Sequence, residues 1–127
     1  MEISSEFPFS NDVWPSDITF SLNDFELGTW TSPGDFSDTR GKLNPEWYPS
    51  KLNQYGLLKT IRITSHGTYM DGETLSNFTI QDINTKSEIW SLRVEVKKDA
   101  KNLGGATLFG EHFGNHSQDI KFKMYYS

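Results

Sequence analysis

Apolar and polar residues alternate with a period of two along much of this chain. In residues 17–22, Asp-Ile-Thr-Phe-Ser-Leu, the apolar positions are Ile18, Phe20 and Leu22, which marks a strand with one buried face. Asn23-Asp24 follows, a pair that tolerates positive φ and suits a tight turn. Residues 25–30 then resume the alternation. Residues 17–31 therefore read as a β-hairpin. The same rhythm returns at residues 58–64, with Ile61 and Ile63, at 78–80, at 89–96 and at 120–126. Residues 3–9 and 106–109 read as two further strands.

Eight strands at these intervals predict an all-β domain, an antiparallel β-sandwich of the jelly-roll or galactose-binding-domain-like kind. Helix signals are nearly absent; residues 99–103 could form one helical turn, ended by Gly104-Gly105. Pro33, Pro45 and Pro49 share one long connection, residues 31–57, with Gly34, Gly41 and Gly56. A connection of this length exceeds an ordinary linker between strands, and long loops on rigid sheets commonly carry binding sites. The 127 residues fit one domain, residues 1–127, with no internal repeat.

Aromatic residues make up 14% of the chain, with nine Phe, five Tyr and four Trp, so large rings must supply much of the core. There is no cysteine, which removes disulfides and thiolate chemistry. The net charge of −5 argues against the basic face expected of a DNA-binding surface. Residues 1–10 lack a basic segment followed by an apolar run, and no stretch reaches the length needed to cross a bilayer. The expectation is a cytoplasmic protein with no membrane association.

Candidate chemistry is sparse. His112 and His116 have a spacing that would put both on one face of a helix, as zinc sites can require, but Phe113-Gly114-Asn115 between them disfavours a helix. They read as loop histidines, as does His66, and no metal or cofactor is expected. The loop carboxylates Asp35, Asp38, Glu46 and Asp71 could in principle serve glycoside hydrolysis; no catalytic residue is assigned, and the chain reads as a non-enzyme. The glycine-rich tract 104–110 lacks the Lys-Ser/Thr of a phosphate loop and reads as a tight turn entering a strand. Asn77-Phe78-Thr79 and Asn115-His116-Ser117 match a glycosylation tripeptide that is common by chance. The long loop and its flanks hold the most promising group: Trp30, Asp35, Arg40, Trp47, Tyr48 and Tyr55. Flat rings stack on apolar sugar faces while charged groups hydrogen-bond hydroxyls, so these six are the predicted ligand-binding residues. The competing reading is that the rings only pin the loop to the sheets, with Arg40 paired to Asp35 or Asp38.

Several segments carry a family resemblance. They are Trp14-Pro15-Ser16-Asp17-Ile18, then residues 27–36 with Trp30-Thr31-Ser32-Pro33-Gly34-Asp35, then Arg40-Gly41-Lys42-Leu43-Asn44-Pro45 and Gln54-Tyr55-Gly56-Leu57-Leu58-Lys59. Gly104-Gly105, Leu108-Phe109-Gly110, Phe113-Gly114 and Gln118-Asp119-Ile120 complete the set. Together they resemble the β-rich C-terminal domain of Firmicutes transcriptional regulators with an ArsR-type winged helix-turn-helix. The resemblance implies a regulatory fragment without its DNA-binding half, and so without direct nucleic-acid binding. Its role would be to sense a small-molecule or carbohydrate effector, or to form a homodimer. The alternative is a free-standing carbohydrate-binding module; a small hydrolase using loop carboxylates ranks below both.

Overall fold

In the computed structural model, residues 1–7, 13–83 and 86–125 are described. Among the described residues nine strands follow one another: β1 (Glu2–Glu6), β2 (Ser16–Leu22), β3 (Phe25–Ser32), β4 (Leu57–Leu58), β5 (Ile61–Ile63), β6 (Thr68–Met70), β7 (Glu73–Ser76), β8 (Leu92–Val96) and β9 (Gly105–Phe109). The described residues contain no α-helix and a single 3-10 turn at Ile80–Asp82. The protein is therefore all-β, as the alternation predicts.

The strands divide into three antiparallel sheets of three, with orders β4-β1-β9, β3-β2-β8 and β5-β6-β7. The predicted hairpin forms as β2–β3, and Asn23 and Asp24 make its turn with φ of 49° and 68°. Both residues occupy the left-handed region that this two-residue turn demands. Between Phe20 and Ser21 the register slips. Leu27 becomes the extra residue on β3, and the bulge carries its side chain into the core, where it is buried. A second slip, opposite Thr68 and Tyr69, makes Leu75 the extra residue on β7. Leu75 packs directly on the backbone of β3 at Gly28, which is how the second and third sheets meet.

One cluster of buried side chains draws on all three sheets: Ile3 from β1, Ile18, Phe20 and Leu22 from β2, Leu27 from β3 and Met70 from β6, with Ile83 beside them. Each such side chain contributes roughly 1.5–3 kcal/mol on leaving water. Strand β1 is unusual because Glu2, Ile3, Ser4 and Ser5 are all buried. Ile3 faces the apolar cluster, whereas Glu2 and Ser4 face a polar layer made by the long loop.

Several expected elements change. The predicted strand at 58–64 is interrupted and becomes β4 and β5, while β6 and β7 form a hairpin that the alternation does not reveal. Residues 78–80 do not form a strand: Thr79 caps the 3-10 turn through Asp82, whose carboxylate accepts from both the Thr79 amide and hydroxyl. Local side-chain hydrogen bonds here outcompete a ladder. The predicted strand at 89–96 begins only at Leu92, because Ser91 donates to the Asn23 side chain at the hairpin turn. Residues 120–125 carry no strand, and Ile120, Phe122 and Tyr125 are exposed. Alternation without a covered face and a neighbouring edge does not make a ladder. Residues 99–103 form turns and bends rather than a helical turn. Pro8, Phe9 and Tyr126, also assigned to strands from the alternation, lie outside the described residues. Among the described residues no helix is long and apolar enough to cross a membrane.

Candidate functional site

The long loop lies against the polar face of β1. Its prolines remove backbone donors and its path forbids a ladder, so side chains must satisfy the buried backbone groups. Asn53 accepts from the Phe36 amide and donates to Ser4 Oγ at 2.8 Å. Gln54, almost fully buried, donates to the Pro49 carbonyl and accepts from the Gly41 amide and from Asn44 Nδ2 at 2.9 Å. Asn44 in turn accepts from the Gly114 amide at 2.6 Å. The Glu2 carboxylate completes this layer by accepting from the amides of Gly56, Asn115 and His116, each at 2.9 Å.

The six predicted binding residues occupy different surroundings. Trp30 on β3 packs against the core, and its ring receives Lys59 Nζ at 4.9 Å from the ring centre. Asp35 is fully buried and accepts from the Phe7 amide at 2.8 Å. Arg40 donates to the carbonyls of Pro45, Glu46 and Tyr48 at 2.9, 3.2 and 3.1 Å, so the guanidinium serves loop carbonyls rather than the carboxylate pairing considered from sequence. Tyr48 donates to the Asn53 carbonyl and sets its ring edge-on to Phe113; burial, with a smaller contribution from Glu6, raises its phenol above the ordinary value. Tyr55 stacks on Phe36 and donates to Asp38, and that hydrogen bond holds the Asp38 carboxyl below its ordinary range. Trp47 stands apart, with 79% of its surface exposed. The structure thus joins Arg40, Tyr48 and Trp47 around one turn, puts Tyr55 on a neighbouring strand-like bridge, and leaves Trp30 and Asp35 elsewhere.

A second candidate site lies on the third sheet, where the sequence singles out only the loop carboxylate Asp71 and the loop histidine His66. In Thr60-Ile61-Arg62-Ile63-Thr64 the isoleucines pack on the core, leaving Thr60, Arg62 and Thr64 on the outward face. Arg62 pairs in register with Tyr69. The hairpin turn is Asp71-Gly72, with φ of 50° and 87°. These residues and His66 line an open groove of about 510 Å³, within the size range of small-ligand sites. Asp71 fixes one end: it accepts from the Thr60 amide at 3.0 Å and pairs with Lys59 at 3.1 Å. Lys59 also contacts Trp30, so that predicted residue is linked to the groove through one side chain. The legible signal is the Asp-Gly pair, a strong hairpin marker, placed after an alternating run. By sequence alone His66 is only a loop histidine and Asp71 only a loop carboxylate.

A smaller groove is lined by Leu108, Phe109, Gly110, Asp119 and Ile120. Residues 111–116 are turns and bends, so His112 and His116 do not share a helix face. Among the described residues no cluster of three or more His, Asp or Glu side chains could hold a metal ion. Comparisons of the chain with protein-family models, with curated proteins and with solved structures give no match.

Proposed function

We propose that this chain is a non-catalytic recognition domain that binds a small polar molecule on the outward face of β5 and β6. The observation that carries this reading is the groove between Arg62, His66, Tyr69 and Asp71, which combines a cation, an aromatic ring and hydroxyl groups on the paired strands β5 and β6. The long loop supports the scaffold instead: most of its polar groups are used within the protein. The three sheets are read as layers of one opened β-sandwich, since side chains from each share a single core.

The bound molecule would act as an effector if the chain is the sensing half of an ArsR-type regulator, and as a glycan fragment if it is a carbohydrate-binding module. Both readings use the same groove. Thermal unfolding in the presence of sugars and small metabolites tests it, because a ligand for the folded state raises Tm by mass action. A shift retained in Trp47→Ala and lost in Tyr69→Ala supports the groove. The opposite pattern moves the site to the long loop.

A further inference from the structure

We propose that the groove on the third sheet recognises an oxyanion, a phosphoryl or carboxylate group, carried on a polyhydroxylated molecule, with Arg62 as its anchor. The inference rests on the binding role argued above and adds the class of ligand. Arg62 lies at the centre of the outward face, exposed, opposite Tyr69 in register. Among the described residues it forms no ion pair. The nearby acidic group is already occupied: Asp71 is paired with Lys59 and accepts from the Thr60 amide. The groove therefore presents one uncompensated guanidinium inside a chain of net charge −5.

A guanidinium offers parallel N–H donors in a planar fork that fits the two oxygens of a phosphoryl or carboxylate group. Tyr69 supplies a ring and a phenol directly across from it, and His66 lines the far end. Thr60 and Thr64 flank Arg62 on the same face, separated from it by about 7 Å along the strand. Thr64 Oγ1 is engaged by the 64–67 turn, donating to the Gly67 carbonyl and accepting from the His66 amide, which leaves Thr60 as the flanking hydroxyl for a substituent beyond the anion. A neutral hydrocarbon would desolvate the guanidinium without replacing its hydrogen bonds, which disfavours an apolar ligand.

The test is a backbone amide NMR titration of the full chain with glucose 6-phosphate, glucuronate and glucose, at constant ionic strength. The expected result is movement of the amides of Arg62, Thr64, His66, Tyr69 and Asp71 with one or both anionic sugars, and at least tenfold weaker binding by glucose. Arg62→Gln, on an exposed face, should keep the spectrum of the folded protein and weaken the anionic sugar at least tenfold, with part of the affinity restored in Arg62→Lys. Comparison of glucose 6-phosphate with glucuronate distinguishes phosphoryl from carboxylate. Glucose binding on the same amides with equal affinity, unaffected by Arg62→Gln, overturns the oxyanion and leaves the groove. No movement of these amides with any of the three sugars overturns the oxyanion-sugar ligand, and a Tm shift lost in Tyr69→Ala then separates that outcome from failure of the groove itself.

Discussion

The carboxylate of Glu2 fills the space that a side chain at Gly114 would occupy. A Cβ at Gly114 would lie 2.8 Å from Glu2 Cδ and closer still to Oε1. Position 114 also has φ of 80°. The first strand and the segment after β9 are therefore joined by a buried anion and an absent side chain, and the amides of Asn115 and His116 are aimed at that anion.

This relationship separates two glycines that look alike by backbone angle. Gly72 has φ of 87° and open space where a methyl group would sit, with nothing within 4 Å, whereas Gly114 is blocked by Glu2. Gly72→Ala should cost about 1–2 kcal/mol, the penalty of left-handed backbone alone. Gly114→Ala should cost clearly more, because it must also displace the carboxylate. Glu2→Gln should cost about 2–3 kcal/mol, since an amide NH₂ would face backbone donors now paired with charge. Urea denaturation checks all three, with the midpoint moving and the slope unchanged.

The sheets are legible in the sequence where alternation coincides with a turn signal. Ile18, Phe20 and Leu22 before Asn23-Asp24 locate β2 and β3 almost to the residue. The same alternation misleads at Ile120 and Phe122, which no partner strand covers, because periodicity reports a potential face and not its neighbour. The long loop is recognisable as exceptional from its prolines. Its organisation is not, because Asn44, Gln54 and Glu2 are held by contacts that reach across as many as 114 positions of chain. Polar residues of this kind read as surface until the backbone groups they satisfy are placed. The groove is hidden in the sequence because Arg62 and Tyr69 become neighbours only once β5 and β6 pair.

Arg40 ties together the carbonyls of Pro45, Glu46 and Tyr48. Its removal should loosen the turn locally rather than unfold the domain. Arg40→Ala should raise the hydrogen-exchange rate of the Tyr48 amide, which donates to the Pro45 carbonyl, by about five- to tenfold, on the scale of one lost hydrogen-bonded contact. Arg40→Lys should recover only part of the protection, because an ammonium lacks the planar fork. Equal protection in all three proteins would mean that the guanidinium does not hold the turn.

The two adjacent rings Trp47 and Tyr48 should behave differently. Trp47 is largely exposed, so Trp47→Ala should change stability by no more than about 0.5 kcal/mol. Tyr48→Phe removes the hydrogen bond to the Asn53 carbonyl while keeping the edge contact with Phe113, and should cost about 1 kcal/mol. Chemical denaturation of the two variants side by side distinguishes them; a larger loss from Trp47→Ala would show that the loop packs differently.

Asp17 gives the fold a defined acid sensitivity. Its carboxylate accepts from the Thr31 hydroxyl at 2.7 Å and from the Asn102 amide and side chain at 3.0 and 3.1 Å, and the Thr31 and Asn102 side-chain hydrogen bonds hold its pKa below the ordinary 3.8. These contacts link β2 to β3 and to the segment before β9. A carboxyl depressed in the folded state binds fewer protons than in the unfolded chain, so its contribution is complete above the ordinary value and is lost as pH falls through the folded value. Stability should therefore fall below pH 3.8, and Asp17→Asn should reduce the steepness of that fall while lowering stability at neutral pH. The carboxylate remains in contact with solvent, so salt should weaken the effect. Carbon-detected NMR titration of Asp17 against urea midpoints, measured from about pH 2 to about pH 6 to bracket the carboxylate range, checks both parts. An Asp17 that titrates at or above 3.8 in the folded protein would show that Thr31 and Asn102 do not hold it charged.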